Sequence, residues 1–296
     1  MRRTPEWRRA RARVPVPFAG KRALRRAIRP HHHGRQERGH EERAMKRIGL
    51  IGGMSWESTA VYYRLLNEAV RARLGGLASA DVLVHSLDFS AVVALQKAGR
   101  WDEAARMLAE SAQGLERAGA DCVLICTNTM HLVADAVQAA VGVPLIDIVA
   151  ETGRRIAAAG HRRPLLLATR YTMEHGFYHA RMEAGAGIRP LVPNEADRAL
   201  VHRVIFEELC AGRVLDASRR AMEEVVQRGR DAGADSVILG CTEICLLIDP
   251  AAQVLPGFDS TTIHAEAAIR FALDKSRFAL DNGLLASRQL GERIAA

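Results

Sequence analysis

A stretch of twelve residues occurs twice in this chain, about 114 positions apart, and it limits the possible folds more than any other feature. The copy at residues 118–129 is AGADCVLICTNT, and the copy at residues 232–243 is AGADSVILGCTE. Each has the pattern of a helix end, a glycine cap, a buried strand and a polar turn into the next helix. VPLID at 143–147 and LPGFD at 255–259 repeat the similarity downstream. Duplicated strand and helix units predict two halves of related fold.

Short apolar runs alternate with longer amphipathic stretches from residue 48 onward, which is typical of βαβ units around a parallel sheet. The predicted strands are Ile48–Ile51, Val82–His85, Cys122–Ile125, Leu145–Ile148, Leu165–Ala168 and Val237–Leu239. The predicted helices include Ser58–Leu74, Trp101–Ala118, Asp197–Leu209 and Ala217–Ala232. The sequence therefore predicts an α/β fold. At 296 residues with 48% apolar content, the chain is long enough for two modest cores.

The repeat places Thr127 and Cys241 at equivalent points, each just after a predicted buried strand. Ligands of parallel α/β sheets bind at the carboxyl ends of the strands. If the two halves face each other around a pseudo-twofold axis, both side chains point into one cleft. That arrangement suits inversion at a carbon centre, because one group removes a proton while the other delivers one to the opposite face.

Cys241 is the stronger candidate of this pair. The polar turn places its sulfur at the start of a predicted helix, where unpaired N–H groups and the helix dipole lower the pKa of a thiol. The alternative is a small structural cysteine. Cys126 points to the other face of its strand, and we assign it to the core together with Cys122 and Cys210.

Thr127 is the weaker partner, because a hydroxyl is at least about five pKa units harder to ionise than a thiol. Asn128 and Thr129, with Thr242 and Glu243, supply side-chain and backbone donors suited to a substrate α-carboxylate. Helix capping is the alternative role for these side chains, and it is compatible with substrate binding.

The net charge of +8 is concentrated at one end of the chain. Residues 1–44 hold 14 Lys and Arg against four Glu, so the rest of the chain carries a net charge of −2. We predict that this Arg-rich extension is disordered. It is an upstream extension ahead of a natural start at Met45, a targeting peptide, or an anchor for polyanions. The acidic remainder argues against a nucleic-acid partner, and no apolar run is long enough for a membrane span.

No cofactor or metal is expected. The turn after the first strand, Gly52 to Ser55, lacks the glycine and lysine pattern of a nucleotide-binding loop. Pyridoxal phosphate needs a lysine, and none of the three lysines after Met45 follows a core strand. Five cysteines without zinc-type spacing, and no secretory signal, favour a reducing cytoplasm.

Three motifs make residues 45 to about 275 similar to the aspartate/glutamate racemase family, and especially to the L-aspartate/glutamate-specific racemases of enteric bacteria. They are GGMSWEST at 52–59, CTNTMH at 126–131 and GCTE at 240–243. The resemblance implies a cofactor-independent isomerase that acts on aspartate or glutamate, with Thr127 and Cys241 as the acid and base. It also implies a homodimer. Met54, Gln96, Thr169 and Thr172 complete the expected substrate-binding set.

The expected architecture is two similar α/β domains, each with a parallel four-stranded sheet, related by a pseudo-twofold axis with the active site between them. We place the first domain at 45–146 plus 259–280 and the second at 147–258, with a C-terminal tail at 281–296.

Two departures from the family pattern affect the predicted function. Most members have cysteine where this chain has Thr127, and many aspartate racemases have lysine where it has Cys210. Arg170 is a candidate for holding a distal carboxylate, with a surface salt bridge as the alternative. Two other functions remain open: a single-thiol decarboxylase or cis-trans isomerase of a small dicarboxylate, and a non-catalytic dicarboxylate-binding protein.

Overall fold

The computed structural model describes residues 45–274. The predicted extension at 1–44, the end of the first predicted domain at 275–280 and the predicted tail at 281–296 lie outside the described residues. Within residues 45–274, none of the helices is both long and apolar enough to cross a bilayer.

Six parallel strands form two separate sheets within residues 45–274. The first sheet contains β1 (Ile48–Gly52), β2 (Val82–Ser86) and β3 (Cys122–Ile125), in the order β2-β1-β3. The second contains β4 (Pro164–Leu167), β5 (Ser236–Leu239) and β6 (Gly257–Asp259), in the order β4-β5-β6. The strands β1, β3, β4 and β5 are buried throughout, which explains their continuous apolar sequences. The prediction of an α/β fold with parallel sheets is confirmed.

Eleven α-helices lie between and around these strands in the described part of the chain. They are α1 (Trp56–Leu74), α2 (Phe89–Lys97), α3 (Trp101–Arg117), α4 (Ala134–Ala139), α5 (Ile148–Ala158), α6 (Arg170–Glu174), α7 (Phe177–Ala186), α8 (Glu195–Arg203), α9 (Asp216–Asp231), α10 (Ile244–Leu247) and α11 (Ser260–Leu273). A π-helical segment, Val204–Glu208, follows α8 directly and is followed by a 3₁₀ turn, Leu209–Ala211. The single helix predicted over Asp197–Leu209 therefore consists of three successive segments of different winding.

The prediction of four-stranded sheets is wrong, and the strand predicted over Leu145–Ile148 is absent from the described structure. Leu145 makes only an isolated bridge to Val123. The reason is Asp147, whose carboxylate caps α5 by accepting hydrogen bonds from the backbone amides of Val149 and Ala150, so the chain turns into a helix at Ile148. Leu191 makes a similar isolated bridge beside β4. Each sheet thus has three strands and one bridging residue.

The sequence repeat is reproduced in the local structure. Gly119 and Gly233 follow α3 and α9 with φ values of +93° and +90°. Asp121 and Asp235 then occupy equivalent positions, because the carboxylate of each accepts a hydrogen bond from a backbone amide just before the neighbouring strand, at 2.6 Å from Arg47 N and 2.9 Å from Arg163 N. The two copies therefore enter their sheets in the same way.

Three clusters of buried apolar side chains form the core. One lies wholly within residues 148–255, and a second lies within residues 51–137. The third joins Ile48 and Tyr62, on β1 and α1, to Ala265 and Ile269 on α11. The helix α11 therefore packs with the first sheet although it follows the second in sequence. The domain boundaries remain a prediction.

The turn after β1 brings the start of α1 close to the strand end. Gly53 has φ +84°, and a Cβ there would lie 2.1 Å from the carbonyl oxygen of Leu87, so only glycine fits. Its amide donates to the hydroxyl of Thr59 at 2.8 Å, and that hydroxyl donates to the carbonyl of Ser55 at 3.0 Å. These contacts fix the position of Ser55 at the amino end of α1.

His264 gives a testable pH dependence of stability. Its Nε2 donates to the carbonyl of Ile146 and its Nδ1 accepts from the Tyr62 hydroxyl, both at 2.7 Å, so the buried ring is neutral. Burial lowers the pKa of His264 to about 3. In the unfolded chain the pKa of a histidine is about 6.5. Between pH 6.5 and pH 3 the unfolded chain therefore binds a proton that the folded chain does not, so stability is lost as the pH falls below about 6.5.

We expect the free energy of unfolding to fall by about 2 kcal/mol between pH 7 and pH 5 because of His264. Urea denaturation at both pH values measures the loss. In His264→Gln the loss should shrink by that amount, whereas replacing the exposed His175 with glutamine should leave the loss as in the wild type. An equal pH dependence in wild type and His264→Gln would contradict the assignment.

Candidate functional site

A pocket lies at the carboxyl ends of β3 and β5, where the two copies of the repeat leave their sheets. It contains about 480 Å³ of empty space, including open solvent at its mouth. Nine of the ten predicted site residues line it: Met54, Gln96, Thr127, Asn128, Thr129, Thr169, Cys241, Thr242 and Glu243. The tenth, Thr172, is fully buried behind this lining. The repeat therefore brings together residues that are far apart in sequence.

The loops that carry Thr127 and Cys241 leave their sheets identically. The amide of Cys126 donates to Ile51 of β1 at 3.0 Å, and the amide of Gly240 donates to Leu167 of β4 at 2.7 Å. Thr127 directly follows Cys126, and Cys241 directly follows Gly240. Both side chains are partly exposed to the pocket.

His131 holds the backbone of Thr127. Its Nδ1 lies 2.8 Å from the Thr127 carbonyl and its Nε2 lies 3.2 Å from the amide of Ile148. Because the amide can only donate, Nε2 is the acceptor and Nδ1 carries the proton. Burial lowers the pKa of His131, which agrees with a neutral ring. The Thr127 hydroxyl itself has no hydrogen-bond partner among residues 45–274. No base therefore activates this hydroxyl within the described part of the chain.

Cys241 lies beside a buried carboxylate. Its thiol donates to Oε2 of Glu243 at 2.9 Å, and the Ser55 hydroxyl donates to Oε1 of the same carboxylate at 2.7 Å. Burial and the negative charge of Glu243 raise the pKa of the Cys241 thiol well above its usual range. The expectation of a lowered thiol pKa is therefore wrong for the ligand-free site. The helix after Cys241 has only four residues, and the carboxylate is closer.

Thr242 connects the two halves of the site. Its hydroxyl donates to Ser58 at 2.6 Å, and Ser58 donates to the carbonyl of Cys126 at 3.1 Å. The same Thr242 oxygen lies 3.0 Å from Oε2 of Glu243. This chain of contacts joins the loop after β5, the first turn of α1 and the loop after β3, so it fixes the distance between the two loops.

Asn128 is held at both ends of its amide. Oδ1 accepts from the Tyr178 hydroxyl at 3.3 Å, and Nδ2 donates to Ser260 at 3.1 Å. The side chain makes no capping hydrogen bond to the turn that follows it, so the capping alternative is wrong for this residue. Because Nδ2 carries two protons, one remains for a ligand in the pocket.

Three threonine hydroxyls form a compact triad at the edge of the pocket. Thr129 lies 2.9 Å from Thr169 and 3.0 Å from Thr172, and the last two are 3.1 Å apart. Thr172 therefore supports the lining although it does not line the pocket. The hydroxyl of Thr169 also caps α6.

Sequence analysis missed six residues that line the pocket: Ser55, Phe89, Ile205, Phe206, Gly240 and Cys210. Ser55 belongs to a motif already noted at 52–59, so its spacing to Ser58 could have indicated a functional turn. Cys210, which we assigned to the core, is half-buried: it packs against the core cluster of residues 148–255 and also lines the pocket. No local pattern predicts the π-helical segment that carries Ile205 and Phe206.

Two further expectations need correction. Glu243 is not a donor for a carboxylate, because its carboxylate accepts hydrogen bonds. Arg170 is exposed and lies outside the pocket lining. Among residues 45–274, no group of three or more histidine, cysteine or acidic side chains is placed to hold a metal ion.

The sequence profile of the family described as Asp/Glu/hydantoin racemase matches residues 51–268. The broad specificity amino-acid racemase RacX of Bacillus subtilis (strain 168) is 21% identical to this chain over 225 residues, which are 75% of this chain and 96% of that protein. The region that the family profile matches, residues 51–268, includes the whole lining of the pocket.

Two solved structures are similar over most of their length. A candidate Asp/Glu racemase from Yersinia pestis is 46% identical with a TM-score of 0.73, over 78% of this chain and 100% of that chain. An aspartate racemase homologue from Pyrococcus horikoshii OT3 is 33% identical with a TM-score of 0.68, over 76% of this chain and 98% of that chain.

Proposed function

The chain belongs to the Asp/Glu/hydantoin racemase family, and from this premise we propose that it is a cofactor-independent amino-acid racemase that moves the α-proton between Cys241 and Thr127. The proposal rests on one observation: Thr127 and Cys241, from equivalent loops of the repeat, line the same pocket. Racemisation needs one group on each side of the α-carbon, because a proton leaves one face and another arrives at the opposite face.

Cys241 acts as the base. In the free site its thiol is protonated, because burial and Glu243 raise its pKa. A substrate ammonium group that binds the Glu243 carboxylate offsets that negative charge and so lowers the cost of forming the thiolate. The thiol proton leaves to solvent as the thiolate forms, and the thiolate then takes the α-proton and becomes a thiol again.

Thr127 returns a proton to the other face, either directly or through a water molecule that it binds. Its hydroxyl has no activating partner among residues 45–274, so it is a poor base. We therefore expect kcat to be higher in the direction that begins with proton removal by Cys241, because a hydroxyl and a thiol differ in acidity. The kcat/KM values of the two directions stay equal, because the two enantiomers have the same free energy in solution.

The remaining site residues orient the substrate. The free N–H of Asn128 and the hydroxyl of Thr129 donate to the α-carboxylate, while Thr242 and Glu243 hold the ammonium end of the substrate beside Cys241. Met54, Gln96 and Thr169 shape the rest of the pocket, and Thr172 supports Thr169. Charge-assisted hydrogen bonds of this kind fix the α-carbon between the two proton-transfer groups.

The proposal also includes the predicted arrangement of the domains, the oligomeric state and the location of the protein. The equivalent loops, and the equivalent contacts of Asp121 and Asp235, support two α/β domains related by a pseudo-twofold axis, with the pocket in the cleft between them. The proposals of a homodimer and of a cytoplasmic location rest on the family resemblance and on the cysteine pattern. Aspartate or glutamate as substrate rests on the resemblance alone.

Incubation of the purified protein with amino acids in D₂O tests the function. We expect deuterium at the α-carbon and the appearance of the opposite enantiomer by chiral chromatography. Release of CO₂ or isomerisation of a dicarboxylate without exchange would indicate the single-thiol alternative. Binding without any reaction would indicate a non-catalytic protein.

A further inference from the structure

One part of the pocket wall is apolar. Phe89 begins α2, Ile205 and Phe206 lie in the π-helical segment, and Cys210 lies in the 3₁₀ turn that follows. Ile205 is buried, and Phe206 and Cys210 are half-buried. Burial and the nearby negative charge of Glu243 raise the pKa of the Cys210 thiol to about 12, so this residue is uncharged at neutral pH.

The pocket lining within residues 45–274 contains no lysine, arginine or histidine. Two arginines of the described chain, Arg100 after α2 and the earlier candidate Arg170, lie outside this lining. Arg100 forms an exposed ion pair with Glu103, and Arg170 is exposed to solvent. A carboxylate in the substrate side chain would therefore find no cationic side chain in the described lining.

The pocket already contains one acidic group. Glu243 is 4% exposed, and its hydrogen-bond partners Ser55 and Cys241 are uncharged. A zwitterionic amino acid brings one ammonium group, which Glu243 can bind, and one α-carboxylate. A second substrate carboxylate would bring a further negative charge beside apolar side chains, and a desolvated charge without a partner is strongly unfavourable.

We propose that the racemase site takes amino acids whose side chain is uncharged and largely apolar, such as methionine, in preference to aspartate or glutamate. The inference rests on the proposed function, since it assigns the substrate class of the same site. It replaces the dicarboxylate that the family resemblance implies.

Matched substrates of equal size isolate the effect of charge. We would measure kcat/KM for α-hydrogen exchange in D₂O with L-glutamine against L-glutamate and with L-asparagine against L-aspartate, with L-methionine as the apolar probe. The expected result is exchange with methionine and a preference of at least about 100-fold for each amide over its acid. Equal or faster exchange with the acids would overturn the inference but leave the racemase assignment in place. No exchange with any of the five amino acids would overturn both.

A variant tests the cause of the preference. Phe206 lies at the apolar wall and is half-buried, so arginine can replace it with its charged end toward the pocket mouth. Phe206→Arg is expected to lower the ratio of glutamine to glutamate exchange at least about 10-fold, because it supplies the missing cation. Phe206→Leu, which adds no charge, should keep the wild-type ratio. An unchanged ratio in a folded Phe206→Arg protein would contradict the charge argument.

Discussion

Replacing Cys241 with serine is expected to lower the rate of racemisation by about 10²- to 10⁴-fold, the usual contribution of one positioned proton-transfer group. A serine hydroxyl occupies nearly the same space and can donate to Glu243 as the thiol does. It is, however, far harder to ionise, so it cannot supply the anionic base. Substrate affinity, measured by calorimetry, should change little because the polar contacts around the pocket remain.

Cys245 provides a matched control for this substitution. It is also a partly buried thiol whose pKa is raised by burial and by a neighbouring carboxylate, that of Asp259. It lies outside the lining of the pocket. Cys245→Ser should therefore keep the wild-type rate. Substantial α-hydrogen exchange by Cys241→Ser would show that the catalytic base lies elsewhere.

Replacing Glu243 with glutamine should increase two measured quantities, the KM for the amino acid and the rate at which Cys241 is alkylated. Loss of the negative charge removes the partner of the substrate ammonium group, and KM should rise about 10- to 150-fold, as expected for a hydrogen bond to a charged group worth about 1.5–3 kcal/mol. In the free protein the same loss lowers the pKa of the Cys241 thiol, because Glu243 is one of the groups that raise it. Alkylation of Cys241 by iodoacetamide at neutral pH should therefore become faster.

Ser55→Ala is the matched control for this second prediction. It removes one hydrogen bond to the Glu243 carboxylate but keeps the negative charge. We expect a moderate rise in KM and no faster alkylation, with mass spectrometry used to identify Cys241 as the modified residue. If Glu243→Gln raised KM but left the alkylation rate unchanged, the electrostatic link between the two residues would be wrong.

The internal repeat explains why much of the site could be predicted from sequence. Thr127 and Cys241 follow buried strands with similar sequences, and these strands leave their sheets in the same way. The predictions failed where a helix cap was not recognised or where the rest of the fold decides the outcome. Asp147 converts the predicted fourth strand into a helix start by capping α5. Cys210 lines the pocket from a 3₁₀ turn that follows a π-helical segment, and the local sequence predicts neither.

The pKa of the Cys241 thiol also could not be predicted from the local sequence. From sequence, the helix after this residue favours a thiolate, since only the local chain is considered. In the fold, Ser55, which caps the amino end of α1, orients the Glu243 carboxylate toward the thiol, and burial removes the solvent that would stabilise the anion. Neither the hydrogen bond between residues 188 positions apart nor the burial can be inferred from the local pattern around Cys241.

The position of the isotope label during early turnover tests the central claim, which is proton transfer by two groups on opposite faces. The wild-type protein would be incubated in D₂O with each enantiomer of its fastest substrate, and both enantiomers would be separated and analysed by mass spectrometry. With Cys241 and Thr127 as separate proton-transfer groups, deuterium appears in the product enantiomer while the remaining substrate stays protiated. Deuterium that enters the unreacted enantiomer as fast as the product would mean that a single base serves both faces, and it would contradict the account.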